Sequence, residues 1–281
     1  LVFFFLIAPL FAIIPISFSV SPFMVFTEGM LAWPPDPEAW SIRWYKNMIG
    51  DCSADVVSST VPCSTKWMVG TVNSFYIGII ATVIATALGT LAALGLSRPH
   101  MPYKGLIMAI LISPMIVPLI ITAAGMFFFY ARINLVYTFT GVILAHVALA
   151  TPFVVITVTA TLVGFDMNMV KAAQSLGAKP MRTFFKVIMP LILPGIISGA
   201  LFAFITSFDE VVIVMFMASI DQLTIPKQMW AGIRQEISPV ILCMATCLVL
   251  LSIFLLTTVE LLRRRSEKLR GCLLYTSPSP R

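Results

Sequence analysis

Long apolar runs with few charged residues recur along this chain, and they limit its possible folds more than any other feature. A helix of about 20 residues crosses the apolar core of a bilayer, which is about 30 Å thick. Because lipid offers the backbone no hydrogen-bond partner, a crossing segment must pair its own peptide groups, as a helix does. We therefore predict an all-α membrane protein with six spans, which cover residues 1–20, 74–97, 105–130, 139–164, 191–218 and 239–262.

The composition supports a membrane protein. Hydrophobic residues make up 59% of the 281 residues and charged residues only 11%, whereas a soluble protein of this length needs more charge on its surface. The net charge of +6 does not indicate a nucleic-acid partner, because basic residues in membrane proteins are placed mainly by topology.

The distribution of Lys and Arg predicts the orientation. One set of loops holds eleven of these residues: Arg98, Lys104, Lys171, Lys179, Arg182, Lys186, Arg263, Arg264, Arg265, Lys268 and Arg270. The opposite set holds six over longer segments: Arg43, Lys46, Lys66, Arg132, Lys227 and Arg234. Since cytoplasmic loops carry the excess of positive charge, we expect the first set, and with it segment 165–190, to lie inside the cell.

Segment 165–190 has the pattern of two short helices that meet at Gly177. Asp166 suits an N-cap, Gly177 suits the left-handed residue that ends a helix, and Pro180 suits the first turn of the next helix. An apolar stripe in that second helix is formed by Met181, Phe184, Phe185 and Ile188. A basic amphipathic loop of this kind could also rest on anionic lipid headgroups.

The order of residues in this segment is similar to a known motif. Lys171-Ala172-Ala173, three residues, Gly177, nine residues and Val187-Ile188-Met189-Pro190 resemble the signature loop of permease subunits of binding-protein-dependent ABC importers, where the pattern is Glu-Ala-Ala, Gly and Ile-x-Leu-Pro. The resemblance implies that Lys171, Ala172, Ala173, Gly177, Val187, Met189 and Pro190 couple the permease to a separate ATPase. Lys171 departs from the usual Glu, so the pairing expected there is either compensated by an acid or unused.

The resemblance extends over most of the chain and is greatest to the second permease of spermidine/putrescine importers, with "SFDEVVIVMF" (207–216) typical of that group. It implies the type I permease fold over residues 1–270, in a bacterial inner membrane. It also implies a second permease, a periplasmic substrate-binding protein and a cytoplasmic ABC ATPase dimer that binds ATP and Mg, while this chain holds no cofactor or metal. Whether the two permeases are identical stays open.

Asp209 and Glu210 lie deep in the fifth run. A helix from Leu191 to Asp209 rises about 27 Å, which places both acids in the outer half of the bilayer. Ionised acids at this depth must face water, another helix or a cationic partner. They either brace a gate or contact a polyamine cation, and both interpretations place them at the translocation pathway.

Other residues suggest packing or bending rather than chemistry. Pro114, Pro118 and Pro152 can bend their helices. We expect His146 to be a buried hydrogen-bonding residue rather than a proton relay. Walker-type loops, metal-binding His clusters and nucleophile elbows are missing from the sequence, so we predict a non-catalytic subunit.

The cysteines fall into two groups. We expect Cys243 and Cys247 to be packing residues of the last span. Cys52 and Cys63 lie in the long outer loop, in a compartment that permits disulfides, and they are candidates for a bridge.

Two further expectations concern alternatives and chain ends. A stand-alone secondary carrier or channel for small organic cations is the alternative function, although such carriers are expected to show inverted repeats. The chain starts inside an apolar run without Met, which suggests a missing N-terminal segment. Residues 272–281, "CLLYTSPSPR", resemble translated sequencing-adaptor DNA, with a disordered Ser/Pro tail as the alternative, and we exclude them from functional argument.

Overall fold

The computed structural model describes residues 2–51, 65–98, 100–163, 168–235 and 238–274. Within these residues the regular structure is helical, and the only β-type pairing is an isolated bridge between Ser19 and Trp40. The predicted all-α class is therefore confirmed. The helices are α1 (Val2–Ile16), α2 (Glu28–Leu31), α3 (Arg43–Met48), α4 (Lys66–Leu96), α5 (Lys104–Ile116), α6 (Leu119–Arg132), α7 (Phe139–Val163), α8 (Asn168–Ser175), α9 (Pro180–Thr183), α10 (Met189–Phe208), α11 (Val212–Met217), α12 (Ile225–Gln235) and α13 (Val240–Leu274).

Two short segments complete the secondary structure. A 3-10 turn covers Pro37–Ala39. A π-helical segment, Phe184–Ile188, joins α9 to α10, so that one continuous helix of 29 residues runs from Pro180 to Phe208.

Four helices in the described part of the chain are long and apolar enough to cross a membrane: Lys66–Leu96, Phe139–Val163, Pro180–Phe208 and Val240–Thr258. The pair α5–α6 makes a fifth crossing if it counts as one span. The first predicted span corresponds to α1, of which the structure describes 15 residues. Helix α1 ends at Ile16, and two residues later the carbonyl of Phe18 accepts the backbone N–H of Ser41 at 2.7 Å.

The third predicted span, 105–130, is not one straight helix. Helices α5 and α6 meet at an angle of 102°. Val117 between them has the extended angles φ −70° and ψ 135°. The cause is Pro118, because a proline disfavours helical angles in the residue before it and has no N–H to continue the ladder.

The fifth predicted span, 191–218, also had the wrong boundaries. Its helix begins at Pro180 and ends at Phe208, so the second helix of segment 165–190 is not short. The π-helical segment explains the difference, since it lets α9 continue into α10 instead of ending. A break follows at 209–211, and α11 starts at Val212.

The chain divides into two compact units, Leu1–Ser74 with Ile220–Leu256, and Phe75–Ser219 with Thr257–Arg281. In the first unit the indole of Trp44 is fully buried and donates to the carbonyl of Ser19 at 2.8 Å. The amide of Asn73 donates to the carbonyls of Asp221 and Leu223 at 2.8 and 2.9 Å. These bonds fix the loop before α12.

Helix α7 is the centre of the second unit. Most of its side chains are buried, and it packs extensively against α10. Gly199 of α10 permits this approach, because an added Cβ would overlap the hydroxyl of Thr157 and the backbone of Val154. The two helices therefore pack with their backbones unusually close, as glycine allows.

Candidate functional site

Two regions contain the predicted coupling and pathway residues, and both lie in the second unit. The first is the segment around Gly177. Gly177 has φ +78°, which confirms the predicted left-handed residue at the end of α8. Its N–H donates to the carbonyl of Gln174 at 2.9 Å, and Ala178 donates to the carbonyl of Ala173 at 3.0 Å. These bonds satisfy carbonyls that the end of a helix leaves open.

The segment presents apolar side chains to the outside. Leu176 is 88% exposed, Met181 69% and Phe185 56%. Lys171 is exposed on the same segment. We call this surface, Lys171, Leu176, Met181 and Phe185, the coupling face, after the role that the sequence resemblance predicts for its segment. Large exposed apolar side chains beside cations are typical of a surface that another molecule covers.

The signature residues do not all lie on the coupling face. Lys171 and Ala172 are exposed and Ala173 is half-buried in α8. Val187 and Met189 are half-buried where the π-helical segment meets α10, and Pro190 is exposed there. The predicted stripe is also divided, because Phe184 and Ile188 are half-buried while Met181 and Phe185 point outward. The predicted N-cap, Asp166, lies outside the described residues.

The second region is the break between α10 and α11. Asp209 is exposed, whereas Glu210 is only 8% exposed. One oxygen of the Glu210 carboxylate accepts the backbone N–H of Val212 at 2.6 Å and that of Ile213 at 3.0 Å. A carboxylate at this position satisfies the free N–H groups at the start of a helix and suits its dipole.

Glu210 also lines a cavity of about 370 Å³. The wall consists of the bend between α5 and α6 (residues 114–119), two residues of α7 and two near the end of α10, namely Leu149, Phe153, Thr206 and Glu210. Two helix breaks therefore meet at one cavity. Broken helices at membrane depth are tolerated where they are buried in protein or line a water-filled space, and they are typical of substrate sites in transporters.

Sequence reasoning missed most of this wall. Pro114 and Pro118 were recognised as sources of bending, but their common cavity with Glu210 was not predicted. Thr206 was missed as well, and its only signal was its place one turn before the acids. His146 was predicted as a buried hydrogen-bonding residue, and this is confirmed: it is 1% exposed and its Nδ1 lies 2.8 Å from the Ser207 hydroxyl.

The cysteine predictions have separate outcomes. Cys52 and Cys63 lie outside the described residues, so their bridge stays a prediction. Cys243 and Cys247 have free thiols. Cys243 is buried, and its thiol lies 3.4 Å from the carbonyl of Ser17, as a packing residue does.

Comparison with known proteins identifies the family. Residues 85–268 match the family described as the binding-protein-dependent transport system inner membrane component. The chain belongs to this family. It is a multi-pass permease of the inner membrane, and family membership favours the importer over the stand-alone carrier or channel.

Individual members of the family align over most of the chain. The spermidine/putrescine transport system permease protein PotC of Haemophilus influenzae is 30% identical over 196 residues, which are 70% of this chain and 76% of that protein. The putrescine transport system permease protein PotI of Escherichia coli is 29% identical over 250 residues, 86% of this chain and 80% of that protein.

Solved structures show the same fold. A chain of a bacterial ABC transporter involved in the import of the acidic polysaccharide alginate matches with a TM-score of 0.65 and 13% identity, covering 92% of this chain and 90% of that chain. A chain of the MetNI methionine ABC transporter matches with a TM-score of 0.55 and 18% identity, covering 70% and 94%. The predicted ABC importer permease fold is confirmed.

Proposed function

We propose that this permease belongs to an importer of polyamines such as spermidine and putrescine. It forms the translocation path with a second permease. A cytoplasmic ATPase dimer binds ATP and Mg and supplies the energy, and a periplasmic binding protein delivers the substrate. The observation that carries the substrate class is the similarity to two permeases whose names state spermidine or putrescine transport.

The chemistry of the cavity supports a cationic substrate. Its wall is largely apolar, and its one ionisable side chain among the described residues is that of Glu210. Asp209 is adjacent in the chain and exposed. Charges are costly at membrane depth unless they meet an opposite charge or water. A pair of acids, one inside the cavity wall and one outside it, is suited to accompany an ammonium group along the path.

The coupling face supports docking on an ATPase. Its apolar side chains fit the helix-in-groove mode of recognition, in which apolar residues provide affinity and the polar rim fixes the register. Lys171 contributes a positive charge where the family pattern has Glu, so we expect a carboxylate on the ATPase opposite Lys171. Anionic lipid is the other surface that this basic segment could contact.

Uptake into proteoliposomes tests the proposed function. The complete importer should be reconstituted with its binding protein, and uptake of putrescine and spermidine should be measured with ATP inside and outside the vesicles. We expect uptake driven by ATP on the coupling-face side. Replacing both acids, Asp209→Asn with Glu210→Gln, should reduce uptake of the trivalent substrate more than that of the divalent one, because the loss is of charge complementarity.

Co-purification of the ATPase is the control for this variant. Normal assembly with reduced uptake supports a role in the path. Weakened assembly with an equal loss of uptake for both substrates would instead support the interpretation that the two acids brace the gate. If the double variant transports both polyamines at the wild-type rate, the assignment of the two acids to the path is wrong, and if the wild type transports neither polyamine, the substrate class is wrong.

A further inference from the structure

The hydrogen bond between His146 and Ser207 joins two helices beside the cavity. His146 lies in α7 and Ser207 in the last turn of α10, and both side chains are buried, at 1% and 5% exposure. The distance from Nδ1 to the hydroxyl oxygen is 2.8 Å.

Stability does not account for the pair. The other ring nitrogen of His146, Nε2, is buried and has no hydrogen-bond partner among the described residues. A single buried hydrogen bond adds less to stability than an unpaired buried polar atom removes, and apolar residues of the same shape can replace both partners at little cost. An apolar pair would therefore pack at these two positions at least as well.

The location of the pair indicates what it does. His146, Leu149 and Phe153 follow at spacings of three and four residues, so they lie on one face of α7. Leu149 and Phe153 line the cavity. Ser207 directly follows Thr206 and precedes Glu210 by three residues, and both of these also line the cavity. The bond therefore ties two walls of the cavity together, one helical turn from the buried carboxylate.

We propose that His146 is a positioning residue for the cavity. Its imidazole holds the last turn of α10 against α7. This contact sets where α10 ends, and so it sets the position of Glu210 and of the N–H groups of α11 that the Glu210 carboxylate binds. The loss of the contact frees the end of α10 and loosens the start of α11, while the packing of α7 against α10 at Gly199 stays intact. The link from cavity geometry to transport rests on the proposed function.

Hydrogen exchange tests the positioning role without any substrate. The permease complex in nanodiscs should be compared with the double variant His146→Leu with Ser207→Ala, which removes both partners and leaves no new unpaired group. We expect the amides of Val212 and Ile213 to exchange about tenfold faster, because their protection depends on the Glu210 carboxylate staying in place. The unfolding temperature of the double variant should equal or exceed that of the wild type.

Two conservative replacements separate position from mere polarity. Asn carries its polar atoms where Nδ1 of His lies, whereas Gln places them near Nε2. His146→Asn should therefore restore slow exchange and substrate-stimulated ATP hydrolysis, and His146→Gln should restore neither. Thr159→Val is the matched control, because Thr159 is a buried residue of α7 whose hydroxyl also has no partner among the described residues. It should leave exchange at Val212 and Ile213 unchanged.

The outcomes are distinct for this proposal and for the substrate class. Wild-type exchange rates in the double variant, or equal rescue by Asn and Gln, would overturn the positioning role. Faster exchange with rescue by Asn supports it even if the wild type fails to take up polyamines, in which case only the proposed substrate is wrong.

Discussion

Replacing Glu210 in two different ways separates its charge from its contact with α11. In Glu210→Gln the side-chain carbonyl oxygen keeps nearly the same position and still accepts the N–H groups of Val212 and Ile213. In Glu210→Leu both N–H groups lose their acceptor, and the side chain keeps a similar volume. The first change removes the charge alone, and the second removes both the charge and the acceptor.

The structure provides the magnitudes. Two backbone donors at 2.6 and 3.0 Å depend on one buried carboxylate oxygen, and each buried donor left unpaired costs about 1–3 kcal/mol. Glu210→Leu should therefore destabilise this region by about 2–6 kcal/mol. Glu210→Gln exchanges charged for neutral hydrogen bonds, which are about half as strong, so its cost should be about 1–2 kcal/mol.

Thermal unfolding of the complex in nanodiscs and uptake of spermidine measure the two effects. We expect Glu210→Gln to lose uptake with a small drop in unfolding temperature, and Glu210→Leu to lose both. Asp209→Asn is the control for stability. Because the Asp209 side chain is exposed, this substitution should leave the unfolding temperature unchanged. If Glu210→Gln and Glu210→Leu have the same unfolding temperature, then the Glu210 side chain does not hold α11 through its hydrogen bonds. Normal uptake by Glu210→Gln would show that the charge is not needed.

Two further predictions concern other parts of the chain. Gly177→Val should abolish substrate-stimulated ATP hydrolysis without affecting membrane insertion, because a left-handed angle costs a branched residue more than about 1–2 kcal/mol. Gly177→Asn should retain most of the stimulated hydrolysis, and equal hydrolysis by the two variants would contradict the conformational explanation. Cys52 and Cys63 should form a disulfide in protein from intact cells, measured by alkylation and mass spectrometry, and two free thiols at these positions would refute the bridge.

The features that could be predicted from sequence are those that local chemistry determines. Apolar length located α4, α7 and α13. The left-handed angle at Gly177 was predictable because glycine is the residue that adopts it without strain. His146 was predictable as a buried residue because a single His in an apolar run has nowhere else to place its polar atoms.

The features that were missed depend on contacts between distant residues. The break at 209–211 contains neither Pro nor Gly, so no local signal ends α10 there, and the carboxylate of Glu210 starts α11 by accepting its N–H groups. The π-helical segment also has no local sequence signal that predicts it. Pro118 predicted a bend. The angle of 102° between α5 and α6 depends on packing around the cavity, and a sequence pattern does not contain that information.

The continuous helix from Pro180 to Phe208 has a mechanical consequence. Its 29 residues span about 43 Å at about 1.5 Å per residue, and they begin beside the coupling face and end at the cavity. A rod of this length that pivots near one end by about 5° moves its other end by about 4 Å, more than the length of a hydrogen bond. A small tilt imposed where Met181 and Phe185 are exposed is thus large enough, at the far end, to break or form the contacts of Ser207.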